Sequence, residues 1–217
     1  MKITLASAIQ LMHEGAWGSL ATHSTQVAGY PFATILPFTL DEQHCPIFLL
    51  SDLAEHTKNL FTDSRSSLLI HSSIGQNVLT AERISIIGDV MPIIPSGDLI
   101  ARYLRYHPDA KDYLALGGFS FHQLTPQRSR YVGGFGQMGW IENEEWASLE
   151  VLPVADERML IHGIANTYPN PLRILGIDCY GFDVEKNGKR TRQRFADAPV
   201  AVSQVGEVVR RFLAAIE

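Results

Sequence analysis

Two apolar runs in residues 47–71 enclose a short amphipathic stretch. Ile47 to Leu50 stops at Ser51, and Leu68 to Ile70 forms the second run. Between them, helical spacing puts Leu53, Ala54, Leu60 and Phe61 on one side and leaves His56, Lys58 and Asn59 exposed. The pattern predicts strand, one or two helical turns, then strand. A hydroxyl, an imidazole, an ammonium and an amide would then meet at a sheet end, a combination suited to a phosphate or carboxylate.

Periodicity organises the rest of the chain in the same way. Leu5, Ile9 and Met12 at helical spacing predict a helix over 3–14, with Gly15 as a stop. Residues 18–23 and 32–40 read as strands around an Ala28-Gly29-Tyr30-Pro31 turn, and residues 41–46 as a second polar turn. A strand is predicted over 82–91, with Gly88 as a bulge or close-approach point. Residues 97–106 read as a helix ended by His107-Pro108. Two strands, 119–124 and 128–135, are predicted around Thr125-Pro126-Gln127. Strands that follow one another through short turns favour an antiparallel barrel over a doubly wound parallel sheet.

The pattern changes near Val151-Leu152-Pro153. Beyond it come a helix over 155–166, a hairpin of 174–184 with 189–195 around Asn187-Gly188, and an amphipathic helix over 200–216. The expected organisation is a barrel domain over 1–150 and a small α+β module over 151–217.

Composition narrows the function classes. The 217 residues are 46% hydrophobic and 19% charged, as in a globular protein, and the net charge of −5 argues against general nucleic-acid binding. The four basic residues between Gly188 and Arg194 read as a solvated hairpin arm. Cys45 and Cys179 lack CxxC spacing, which favours a reducing compartment over a disulfide framework. No run approaches a membrane span and the first residues lack a signal-peptide core, so the expected location is the cytoplasm.

Gly134-Phe135-Gly136-Gln137-Met138-Gly139 spells GxGxxG, but Trp140-Ile141 continues as extended chain, without a βαβ rhythm. The glycines read better as a bend or close approach than as a dinucleotide fingerprint. The eight histidines show no HExxH or HxH pairing, so no metal site is expected, and no nucleophile elbow occurs. Arg83 opens an otherwise apolar strand as an edge residue or an anion ligand. Arg128 and Arg130 with Trp140 would suit a flat anionic ligand, although an ordinary sheet surface holds the same residues.

Taken together, the chain resembles the FMN-binding split-barrel superfamily of pyridoxamine-phosphate-oxidase type, and most closely its haem-utilisation branch of HugZ/HutZ-type proteins. The resemblance covers about residues 10–142. Its pieces are Gly18-Ser-Leu-Ala-Thr22, Gly29-Tyr-Pro31, Pro37-Phe38, Leu50-Ser51, His56-Thr-Lys-Asn-Leu60, Ser67-Leu68-Leu69, Arg83-Ile-Ser-Ile-Ile-Gly88, Arg102 to Pro108, and Val132 to Gln137 with Trp140. The tail from Gly176 to Phe195 is similar to the small module that follows the barrel in this branch.

The resemblance implies an α+β protein, with an antiparallel Greek-key split β-barrel and a C-terminal helix–hairpin–helix module. It implies a homodimer with ligand clefts between subunits. Thr34, Ser51, His56, Lys58, Asn59, Arg83 and Trp140 would line the cleft around a small flat anionic cofactor, FMN or haem. The oxidase branch has a basic residue at the position of His56, and its substrate-binding Arg–His pair has no counterpart here. The haem branch's ligating histidine would lie beyond Gly136, where the chain has only His162. Three functions stay open: haem- or flavin-binding protein of haem-utilisation type, FMN-dependent oxidoreductase, and non-catalytic binding or storage protein.

Overall fold

A computed structural model describes residues 5–72, 81–134, 137–167 and 172–215. The elements run α1 (Leu5–Glu14), β1 (Trp17–His23), β2 (Pro31–Pro37), β3 (Thr39–Leu40), β4 (Pro46–Ser51), α2 (Glu55–Thr62) and β5 (Arg65–His71). Then come β6 (Arg83–Pro92), α3 (Gly97–Tyr106), α4 (Ala110–Leu116), β7 (Phe119–Val132), β8 (Met138–Glu142) and α5 (Asn143–Ala147). The C-terminal part holds α6 (Val154–Thr167), β9 (Arg173–Asp178), β10 (Gly181–Lys186), β11 (Lys189–Arg194) and α7 (Val202–Ala214).

The larger sheet has the order β2-β1-β5-β6-β7-β4-β3, with β8 also paired to β7. Every pairing in it is antiparallel. This curled sheet is the expected split barrel. The alternation of β5 and β6 turns Leu68, Ile70, Ile84 and Ile86 into its interior. The run in β4 is continuously apolar because both faces are covered. Phe48 and Leu50 join the barrel core, whereas Ile47 packs with Tyr103, Ala110 and Phe121. By contrast, β2 has no buried face.

The expected pair of strands at 119–124 and 128–135 is one strand, β7. One edge lies on β6; the other pairs first with β4 and then with β8. Pro126 breaks the sequence pattern but not the strand, because it lies beside the register shift at Ile87 and Gly88, where a missing donor is tolerated. Gly88 is required there, since an added Cβ would meet the Thr125 carbonyl oxygen at 2.1 Å. Likewise, the strand read over 174–184 is two strands, β9 and β10, reversing at Cys179-Tyr180. The Asn187-Gly188 hairpin forms as expected, both residues having positive φ. Short helices α4 and α5 carried no sequence expectation. One apolar core continues from the barrel into the three-stranded sheet.

The basic hairpin arm is only partly solvated: Lys189 and Arg194 are exposed, whereas Arg190 and Arg192 are not. Arg192 turns inward and donates to Asp178 at 2.9 and 3.0 Å, Arg190 reaches the His13 carbonyl, and Arg194 pairs with Glu14. The partners lie on α1 and on the neighbouring strands β9 and β10, out of reach of a local sequence pattern. Both cysteines are free. No helix among the described residues is long and apolar enough to cross a membrane.

Candidate ligand cleft

A cavity of about 540 Å³ opens where β2 and β4 end, α2 begins, and α3 passes into α4. Its walls are mostly apolar or aromatic: Leu36, Pro37, Leu49, Tyr103, Tyr113 and Phe119. Tyr113 stacks on Phe119 with centroids 5.3 Å apart, while Tyr103 meets Phe121 edge-on at 5.2 Å. The Leu49 amide donates to the Tyr103 hydroxyl at 3.3 Å. Burial pushes that phenol up to about 12. The wall is therefore rigid and flat-sided.

Ser51 and His56 both line this cavity. The Ser51 hydroxyl accepts from the Leu53 amide at 3.3 Å. The half-buried His56 ring makes no hydrogen bond to the described residues. Burial, then the charge of His122, lower its pKa from the ordinary value of 6.5. His107, which sequence reading took only as a helix stop, also lines the wall. Its Nε2 bonds the Phe38 carbonyl at 2.9 Å.

The expected anion cradle is not assembled within one chain. Asn59 is fully buried, not exposed. Its Nδ2 donates to Thr22 Oγ1 at 3.0 Å, and its Oδ1 accepts from the Thr25 amide and hydroxyl, both at 2.9 Å. These bonds commit the amide to anchoring α2 on the end of β1. Lys58 is exposed as expected, and Glu55 puts an acid in the first turn of α2. On the apolar side only Leu60 is buried; Leu53 is 83% and Phe61 64% exposed. Leu60 thus packs into the core, while Leu53 and Phe61 are left largely open to solvent, Phe61 with one edge contact to His122.

The other expected site residues lie elsewhere. Thr34 shares a strand face with Leu36, one alternation from the cavity. Ser51 pairs with Phe119 at the start of β7, whereas Arg83 pairs with Val132 at its end. Thirteen strand positions separate those partners, roughly 40 Å along the strand. Arg83 is half-buried, donates to the Ala81 carbonyl at 3.2 Å, and makes no ion pair among the described residues. Trp140 stands nearby on β8, opposite Arg130, with the Arg128 guanidinium 4.2 Å and that of Arg130 5.3 Å from its ring. Strand β7 is followed by antiparallel β8 and not by a helix, so the described residues form no strand-to-helix phosphate loop; Phe135 and Gly136 lie outside the described residues.

Sequence reading missed two buried polar networks. In one, His13 Nε2 lies 2.9 Å from His44 Nδ1 and 3.3 Å from Asp178, and His13 Nδ1 lies 3.3 Å from Asp183. Tyr106 donates to Asp183 at 2.6 Å. Burial alone would raise both carboxyls, but Arg192 and His13 outweigh it and hold them well below the usual range. His13, His44 and Asp178 place ligand atoms within 4.8 Å of one another. Arg192 and Arg190 already neutralise the two carboxylates, so a divalent cation would leave a buried charge excess. The geometry is that of a latch between α1 and the module. In the second network, Glu157 of α6 receives Arg102 at 2.5 Å, Arg105 at 2.7 Å and the Ile177 amide at 2.9 Å.

Residues 4–148 match the family profile described as CREG, beta-barrel. The chain is 30% identical over 190 residues to the non-canonical heme oxygenase HOZ, chloroplastic, of Arabidopsis thaliana. That match covers 77% of this chain and 58% of the relative, so the chain spans under two thirds of the curated protein. Among solved structures, a heme binding protein from Mycobacterium smegmatis is 26% identical, with TM-score 0.63 and 99% of each chain covered. Atu2129 of Agrobacterium tumefaciens, of unknown function, is 22% identical with TM-score 0.77 over 97% of each chain, a likeness of fold.

Proposed function

Because the chain belongs to the CREG beta-barrel family, we propose that it is a haem-binding protein whose cleft is completed by a second copy. The observation that carries haem over FMN is the cavity's lining. The wall contains no lysine or arginine among the described residues, and its one acidic side chain is Asp109. A flavin phosphate needs cationic or backbone donors, and the cations of the proposed cleft, Lys58 at the rim and Arg83 from the second copy, stand outside this wall. A porphyrin needs apolar faces, a nitrogen ligand and an exit for its carboxylates, and the flat aromatic walls and free imidazole fit that need. The names of the plant relative and the mycobacterial structure support the same reading.

The second copy is argued from two features. Ser51 and Arg83 lie at opposite ends of β7 and cannot meet within one chain. Exposed apolar side chains also flank both ends: Leu53 in the turn before α2, Phe61 on α2, Ile35 (64%) on β2, Trp17 (47%) on β1, and Trp140 (44%) on β8. A homodimer would bring the Arg83–Trp140 end of one protomer over the Ser51–His56 end of its partner, with Thr34 and Lys58 at the rim. The ordinary surface composition and net charge of −5 leave nucleic acid and membrane out of this reading. The two free thiols support a reducing compartment, read here as the cytoplasm. A barrel domain over 1–150 with a dependent module over 151–217 stays our proposed organisation.

Titration with hemin and, separately, FMN tests the proposal. Hemin should give a Soret shift saturating near one per chain, with FMN fluorescence unquenched. FMN quenching without a hemin response would replace this reading with a flavin-dependent oxidoreductase. Adding a reductant to the haem complex separates turnover from storage: loss of the Soret band means an oxidoreductase, and persistence means binding alone.

A further inference from the structure

We propose that His56 provides the axial nitrogen to haem iron in the cleft, an assignment that rests on the haem reading above. Two imidazoles line the cavity, His56 and His107. His107 is already committed: its Nε2 bonds the Phe38 carbonyl at 2.9 Å, and its ring packs on Tyr103 with centroids 4.8 Å apart. Only Nδ1 of that ring remains uncommitted. His122 is fully buried on the barrel side of the sheet, with Nδ1 3.2 Å from the Ser120 carbonyl oxygen, and it does not form the cavity wall.

His56 differs on each count. Its ring makes no hydrogen bond among the described residues, it is half-buried rather than sealed, and it opens on the cavity beside Ser51. Its backbone is fixed, because Asn59, one helical turn on, is held by three hydrogen bonds to Thr22 and Thr25. A free side chain on an anchored helix is what a ligand-binding position requires. The stacked Tyr113 and Phe119 give the macrocycle a flat wall within the same cavity.

The test is the electron paramagnetic resonance spectrum of the full chain loaded with hemin, reduced, and exposed to nitric oxide. An imidazole opposite the nitrosyl adds nitrogen hyperfine splitting. Wild type and His107→Gln should both show it. His56→Gly and His56→Gln should lose it, and added imidazole should restore it in His56→Gly. The paired variants guard against a folding artefact, since glutamine keeps helix propensity and both are checked by circular dichroism. Retention of the splitting in both His56 variants, or its loss in His107→Gln alone, overturns the assignment. A wild type that binds hemin without imidazole splitting overturns it and leaves the haem reading standing. A wild type that binds no hemin removes both.

Discussion

Two regions of this molecule gather histidines among aromatic and charged neighbours, and they are built in opposite ways. At the junction of α1 with the three-stranded sheet, His13 contacts His44, Asp178 and Asp183, while Arg192 closes on both carboxylates. Most donors and acceptors there are matched, His44 Nε2 and Arg190 Nε excepted, and the arginines balance the two carboxylates in the absence of solvent. At the cleft, His56 makes no hydrogen bond among the described residues, Leu53 and Phe61 beside it are exposed, and the described wall carries no lysine or arginine. The difference separates structure from function. A buried ionic cluster whose charges cancel holds a fold together, whereas polar groups left free beside exposed apolar surface are available to a ligand or a second chain.

The largest effect is expected from unbalancing the junction. Arg192→Ala strands two buried carboxylates, which costs about 3–5 kcal/mol and lowers the melting temperature by roughly 10 °C or more. Hemin affinity, referred to the folded fraction, should not change. A melting temperature within a degree or two of wild type would show that the junction contributes little. Acid titration sharpens the same point. Asp178 and Asp183 are held below the ordinary carboxyl range, so their stabilisation is complete above the unfolded value of about 4 and is lost as pH falls below it. The urea midpoint of wild type should drop below about pH 4, and that drop should be smaller in Arg192→Ala. Equal acid sensitivity in the two proteins would contradict the assignment.

Asn59→Ala probes the link between the two regions, the anchor beneath the cleft. It leaves the Thr25 amide unpaired and should cost about 1–3 kcal/mol. Unlike the junction variant, it should also weaken hemin binding in the folded protein, because α2 loses its fixed position. Unchanged hemin affinity would separate the anchor from the site. The smallest effect on folding is expected at Leu53→Asp, within about 0.5 kcal/mol for a single exposed position. Sedimentation velocity should nonetheless show the dimer weakened, and an unaltered dimer would place the interface elsewhere.

Much of the fold was legible in the sequence, because periodicity reports local geometry. The α1 helix, the β1–β2 pairing and the Asn187-Gly188 hairpin each depend on neighbours close in the chain, and Gly88 was legible from its residue type, although the backbone it approaches is that of Thr125. What was illegible depends on partners far away. Asn59 looked exposed because helical spacing cannot reveal that Thr22 and Thr25 cover it. The arm from Lys189 to Arg194 looked solvated because its acceptors include residues of α1. Tyr103 and Phe119 fell inside an expected helix and an expected strand and Tyr113 in no expected element, since a cavity wall has no periodicity of its own. The separation of Ser51 from Arg83 was hidden for another reason: Pro126 made one long strand look like two.

That separation makes the central claim directly testable by mixing two damaged chains. Ser51→Trp fills the cavity at one end of β7, and Arg83→Ala removes the cation at the other. Each variant alone should bind hemin poorly. Co-expressed, they should form mixed dimers carrying one intact composite site, recovering roughly a quarter of wild-type binding if the chains pair at random. A mixture that binds no more hemin than the two variants measured apart would contradict a cleft shared between copies.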